Sequence, residues 1–210
     1  MKLAIFDLDG TLVDSAPDIA AVLNRTMAGQ GLAPFPVPEV ARMVGDGARA
    51  LLQKAFAARG VTLPEAVIPP FLEDLEANSA VLTRPYDGIE AALALMAMDG
   101  WRAAVCTNKP VAAAQALLHA LRLSRFFEVI IGGDSLPVRK PDPGHVRGVL
   151  EAVRIPAERA VMIGDHANDI LAARGAGVRS VFAAWGYGEN AGADAVAPRP
   201  ELLPGMVGAL

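Results

Sequence analysis

Cysteine occurs once in the 210 residues, at Cys106, and histidine only three times. A single thiol excludes an internal disulfide and any multi-cysteine metal site, and it suits a reducing cytoplasm. Aromatic residues are scarce at 5% while alanine is abundant, so helices are expected to pack closely. Positive charge is not in excess. The net charge is −4, which leaves no electrostatic footprint for nucleic acid or an anionic membrane. Long apolar runs are missing as well. The stretch AALALMAMDGWRAAVC is broken by Asp99 and Arg102, too early for a membrane span. The apolar start is cut by Asp7 and Asp9 before it could serve as the core of a secretion signal, so no targeting segment is expected.

With 53% hydrophobic and 20% charged residues, the chain can bury one substantial core, or a core with a smaller appended unit. Short β-type runs alternate with helical patterns. KLAIF opens the chain; WRAAVC (101–106) precedes PVAAAQALLHALRL, FFEVII (126–131) precedes PGHVRGVLEAV, and AVMIG (160–164) precedes NDILAARGAG. RSVFAAW (179–185) and DAVA (194–197) close the series. Continuous apolar strands separated by helices predict an α/β fold with a doubly wound parallel sheet covered on both faces. Ligands of such sheets lie beyond the carboxyl ends of the strands. There the sequence places Asp7 and Asp9, Thr107 and Asn108, and Asp165. Residues 15–82 read differently: apolar positions recur at helical spacing, and prolines mark the joints in APFPVPEV, VIPPF and TRPYDG. The expectation is a helical domain over 15–82 inserted into a discontinuous core formed by 1–14 and 83–210.

Asp7 and Asp9 stand two apart at a strand end, which puts both carboxylates on one side of an extended backbone. Alone, Asp-Gly here reads as a solvated turn, with Gly10 allowing it and Thr11 capping it. Asp165 follows the strand AVMIG, with Asp169 four residues on; alone it reads as a helix N-cap. A parallel sheet can bring these strand ends together, and several carboxylates gathered there need a divalent cation to offset their repulsion. Oxygen donors without a His or Cys cluster favour Mg²⁺ over zinc. In CTNK, Thr107 and Asn108 precede Pro110 at a helix start, a combination of hydroxyl, amide and helix terminus that suits a phosphate; the alternative is an ordinary cap. RKPDP offers Lys140 in a loop stiffened by proline, although a loop lysine is commonly solvated. GDGARA follows a helical pattern instead of a strand, so it is not a dinucleotide fingerprint. Arg49, at the start of the next helix, could reach a substrate or simply face solvent. His119, His145, His166, Cys106 and Trp101 carry the blander readings of packing, surface or supporting residues.

DLDGT, TN after a strand, KPDP and GDHAND, in this order around a helical insertion, resemble the motifs of the haloacid dehalogenase superfamily, over essentially the whole chain. FDLDGTLVDS, RPYDGI, CTNKP, IGGDSLPVRKPDP, IGDHANDILAARGAG and WGYG are similar to those of its bacterial phosphoglycolate phosphatase group. The resemblance implies a Rossmann-like core with a helical cap and a Mg²⁺-dependent phosphomonoesterase acting on 2-phosphoglycolate. Asp9, which dehalogenases of the superfamily lack, points to phosphoryl transfer. By the same resemblance Asp7 would be the nucleophile and Asp9 the acid/base. Asp7, Asp165 and the backbone carbonyl of Asp9 would hold the metal, and Thr107 and Asn108 the phosphoryl group. Lys140 would neutralise charge, Asp169 would orient Lys140 or a metal-bound water, and a cap-borne Arg49 would take the substrate carboxylate. Alternatives are a phosphatase or mutase for another small phosphorylated metabolite, such as a sugar phosphate or pyrophosphate, and a phospho-accepting regulator. A monomer or homodimer is expected.

Overall fold

A computed structural model describes residues 1–210. The chain opens with β1 (Lys2–Phe6) and the short β2 (Val13–Asp14), then passes through α1 (Ala16–Gly29), α2 (Val37–Ala41), α3 (Ala48–Ala58) and α4 (Ile68–Ala77). It returns through β3 (Arg84–Pro85) and continues with α5 (Ile89–Met98), β4 (Trp101–Cys106), α6 (Val111–Ala120) and β5 (Val129–Ile131). The remainder is α7 (Pro143–Val153), β6 (Ala160–Gly164), α8 (Ala167–Ala176), β7 (Arg179–Ala183), β8 (Ala195–Ala197) and α9 (Leu203–Ala209).

Six parallel strands stand in the order β5-β4-β1-β6-β7-β8. The chain winds from β1 toward β4 and β5 on one side, then toward β6, β7 and β8 on the other. This is a doubly wound, Rossmann-like α/β fold, and the reversal occurs at β1, where such sheets open a crevice. In β1, Leu3 and Ile5 face one apolar layer with Val146, Val149 and Ala173, while Ala4 and Phe6 face the other with Leu117 and Leu203. All four residues are wholly buried. Each large side chain contributes on the order of 1.5–3 kcal/mol by leaving water, so the strand that carries Asp7 is held from both faces.

Between β2 and β3 the chain is helical, and those two strands pair antiparallel with Val13 opposite Pro85. The helices bury an apolar cluster of their own, 16 residues between Ile19 and Leu75. In α1, Ile19, Val22, Leu23 and Met27 repeat at intervals of three and four, which lays one stripe against the neighbours. Prolines open α1, α2 and α4, where a missing N–H costs nothing. Two strand readings shorten: residues 126–128 of FFEVII are not strand, because Ser124–Phe126 closes a 3-10 turn, and the run at RSVFAAW ends at Ala183.

Candidate active site

The site forms where β1, β4 and β6 end side by side. Asp7 follows β1 directly, and its N–H is held by the carbonyl of Ile163 on β6 at 2.9 Å. The alternation continues for one more step: Leu8 is buried in the core while Asp7 and Asp9 line a cavity. Gly10 then turns the chain at φ +86°. A Cβ there would lie 2.3 Å from Asp165 Oδ2, so only glycine permits this approach of the two strand ends.

Asp7 is 6% exposed, with Lys140 Nζ 2.9 Å from its Oδ1. Burial pushes its carboxyl up to about 6 against the opposing pull of the Lys140 charge. Lys140 Nζ also donates to Asp169 Oδ1 at 2.6 Å and to the carbonyl of Cys106. Burial acts to discharge this ammonium, but Asp169 and Asp7 outweigh it and raise its pKa above the ordinary lysine value. Its backbone is fixed as well, since the N–H of Lys140 donates to His145 Nδ1 at 3.2 Å while His145 Nε2 lies 3.1 Å from the carbonyl of Gly132. Those two contacts require the neutral ring protonated at Nε2. Burial and the nearby Lys140 charge accordingly push the His145 imidazole down to about 4.

Asp9 Oδ1 accepts from Ser15 Oγ at 2.6 Å and from Lys109 Nζ at 3.0 Å. Asp165 is wholly buried; its Oδ1 accepts from Thr11 Oγ1 and its Oδ2 from the N–H of Tyr187, each at 2.8 Å. His166 Nδ1 lies 3.0 Å from the same Oδ2. Burial acts to lower the His166 pKa, but its contact with Asp165 outweighs this and lifts it to about 9. Asp169 spends Oδ1 on Lys140 and Oδ2 on the N–H of His166, an arrangement that orients Lys140.

Thr107, just beyond β4, uses its hydroxyl oxygen to accept from the N–H of Lys109 at 3.2 Å and keeps its proton for the cavity. Asn108 departs from expectation. Its side-chain amide donates to the carbonyls of Gly45 and Lys140, both at 2.9 Å, so it ties the core to the helical insertion instead of presenting donors to a phosphate. The backbone N–H groups of Asp9 and Asn108, in contrast, make no hydrogen bond within the protein. Arg49 also departs. It pairs with Glu65 on the insertion, while the cavity is lined by its neighbours Ala48 and Leu51 on α3. Side chains one step apart on a helix diverge by about 100°, which carries Arg49 away from the site.

Sequence reasoning gave no role to Lys109, Ser15 or Tyr187 and read Thr11 only as a cap. Lys109 carried a usable signal, a lysine immediately after the TN pair; the others matter through partners remote in sequence. Among candidate metal ligands, the carboxylates of Asp7 and Asp9 are turned to Lys140 and Lys109. The compact cluster of ligand atoms, all within 4.8 Å of one another, is instead Asp165, His166 and Asp169. Asp169 is a poor ligand there, because the Lys140 ammonium already occupies it.

Buried acid, cation and hydroxyl gather at the switch point of a doubly wound sheet, a setting that suits an anionic group. The family model of haloacid dehalogenase-like hydrolases matches residues 1–177. The phosphoglycolate phosphatase of Agrobacterium fabrum is 43% identical over 209 residues, 98% of this chain and 87% of that protein. That of Caulobacter vibrioides is 45% identical over 189 residues, 88% of this chain and 80% of that one. A solved structure described as a predicted phosphoglycolate phosphatase from Haemophilus somnus superposes with a TM-score of 0.91 at 29% identity, covering 98% of this chain and 97% of that chain. The chain belongs to the haloacid dehalogenase-like hydrolase family, and within it stands among phosphatases.

Proposed function

We propose that the protein hydrolyses 2-phosphoglycolate to glycolate and phosphate through an aspartyl-phosphate on Asp7, with Mg²⁺ as cofactor. The observation that carries this reading is the setting of Asp7, a buried carboxylate facing a cavity, with Lys140 Nζ at 2.9 Å and Asp9 two residues on. The names of the relatives at 43% and 45% identity support the substrate.

Asp7 attacks phosphorus as the bond to the ester oxygen breaks. Asp9 gives its proton to the departing oxygen, and glycolate leaves. The Asp9 carboxylate then takes a proton from water while the water oxygen bonds to phosphorus, and cleavage of the Asp7–phosphoryl bond frees phosphate and regenerates Asp7. The Thr107 hydroxyl and the free N–H groups of Asp9 and Asn108 meet the negative phosphoryl oxygens, while the Lys140 ammonium, held on Asp7, offsets the negative charge gathered there. Residues that would hold Mg²⁺ are Asp7 and Asp165 by their carboxylates and Asp9 by its carbonyl. The fit rests on the donors: all are oxygen, as a hard cation prefers, and Asp165 is fully buried in a cradle where a Cβ at Gly10 or Gly186 would collide with it. When bound, the cation offsets repulsion between an anionic nucleophile and an anionic ester.

Residues 15–82 act as a cap over a core of 1–14 and 83–210, excluding water from the labile intermediate. Support comes from the cavity, which is only about 40 Å³ and is walled by Ile19, Val44 and Leu51 from the insertion. No helix is long and apolar enough to cross a membrane, and the lone, buried Cys106 suits the cytoplasm. The test is phosphate release from phosphoglycolate, hexose phosphates, nucleotides and pyrophosphate, each with Mg²⁺ or with EDTA. Phosphoglycolate should be preferred and EDTA should silence the enzyme. Preference for another ester, or turnover that survives chelation, contradicts the proposal.

A further inference from the structure

Lys109 is the one lysine or arginine on the cavity wall, and its side chain is 3% exposed. We propose that Lys109 determines substrate specificity: its ammonium group takes a carboxylate that the substrate carries beside the ester oxygen. This rests on the phosphatase reading above and adds what recognises the leaving group.

A buried ammonium is costly unless its protons are answered. Lys140 is answered threefold, by Asp7, Asp169 and the carbonyl of Cys106. Lys109 meets a single carboxylate, that of Asp9, at 3.0 and 3.3 Å, and an ammonium has three protons to give. Donor capacity is therefore left at the cavity. The side chain is directed there by its backbone: the N–H of Lys109 is held by Thr107 Oγ1, and its carbonyl accepts from the N–H of Gly133 at 2.8 Å.

Position sets the chemistry recognised. Asp9 serves the departing oxygen, and Lys109 is one hydrogen bond from Asp9. A second anionic group reaches Lys109 only when it sits within a bond or two of that oxygen, as the carboxylate of a 2-phospho-oxyacid does. The insertion's share of the wall offers no rival cation, since Ile19, Val44, Leu51 and Leu75 are apolar and Arg49 is turned to Glu65. Esters without an adjacent anion leave the Lys109 charge unmatched, which is how a polar pocket rejects the wrong substrate.

The test compares kcat/KM for 2-phosphoglycolate with that for phenyl phosphate, which lacks a second anion, in wild type, Lys109→Met, Lys109→Arg and Ser15→Ala. Ser15 bonds the same Asp9 oxygen at 2.6 Å but carries no charge. Lys109→Met should lower the phosphoglycolate-to-phenyl-phosphate ratio by about 100-fold, equivalent to about 2.7 kcal/mol. Lys109→Arg should restore much of the ratio, and Ser15→Ala should slow both esters by the same factor. Circular dichroism checks folding, and Lys109→Gln is read in place of a Met variant that does not fold. Equal slowing of both esters by loss of Lys109 overturns the proposal, since the lysine then serves only to hold Asp9. Wild-type enzyme that cleaves phenyl phosphate with no preference for phosphoglycolate overturns it too. Absence of turnover of either ester overturns the phosphatase reading and this inference with it.

Discussion

At the scale of the residue, Asp7 combines cost and reactivity. Burial holds its carboxyl up at about 6, so above that pH the folded protein carries an ionised group that would be better solvated in the unfolded chain. Asp7→Asn removes the charge and keeps the shape. Phosphatase activity should fall by at least about 1,000-fold while the metal-free variant melts at a higher temperature than wild type near pH 8; a variant that kept most of its activity would refute the nucleophile. His145 works in the opposite sense. Its imidazole is pushed down from 6.5 to about 4, so the native state binds fewer protons than the unfolded state between those values. The stability it contributes is complete above 6.5 and is lost as pH falls through about 4. Urea midpoints should therefore decline across that window, and the decline should be shallower in His145→Asn, which keeps an acceptor for the N–H of Lys140. An unchanged slope would contradict the assignment. Asp7, Asp9 and Asp165 were legible in the sequence because each closes an apolar run at a strand end. Lys109 carried a local signal in the lysine after the TN pair, but its partner Asp9 lies 100 positions away. The sequence left Arg49 open between substrate and solvent because the phase of α3 is set by packing, which puts Ala48 and Leu51 on the cavity.

Among elements, the necks between β2 and α1 and between α4 and β3 hold the insertion in place. Asp18, in the first turn of α1, is 3% exposed and accepts from the N–H groups of Leu82 and Thr83 and from the Thr83 hydroxyl, at 2.7 to 2.9 Å. Asp18→Ala strands those donors and should cost about 2–3 kcal/mol in chemical denaturation; a loss below about 0.5 kcal/mol, the level of a surface substitution, would show that the clasp does not matter. Tyr187 secures the other neck, its hydroxyl donating to Asp14 Oδ1 at 2.6 Å and accepting from the N–H groups of Ser15 and Ala16. The turn before α3 docks on the core through Gly45, whose carbonyl takes Asn108, and Asp46, whose carboxylate takes Asn168 at 2.6 Å. At this scale the sequence was informative where a pattern is local: β4, β6 and α7 begin and end where their apolar runs and prolines say. It was silent on β2, β3, Asp18 and Tyr187, because two-residue strands have no periodicity and these contacts join segments 64 to 173 positions apart.

For the whole molecule, the order β5-β4-β1-β6-β7-β8 brings three strand ends, and hence acids from opposite ends of the chain, to one crevice. A bound cation stabilises the fold that creates its site by an amount that grows with its concentration over Kd. Mg²⁺ should therefore raise the melting temperature of wild type, and Asp165→Asn should abolish that rise; an equal rise in both would place the metal elsewhere. The most direct test of the account uses Asp9→Asn with 4-nitrophenyl phosphate, whose leaving group departs without the proton that Asp9 gives, so attack by Asp7 proceeds while hydrolysis of the intermediate has lost its base. The variant is quenched with acid shortly after mixing with 4-nitrophenyl phosphate and Mg²⁺, and its peptides are mapped by mass spectrometry. The account predicts one added phosphoryl group on the peptide containing Asp7, absent when EDTA replaces Mg²⁺. Phosphate released by the variant with no phosphoryl adduct on Asp7, or an adduct on another residue, would contradict it.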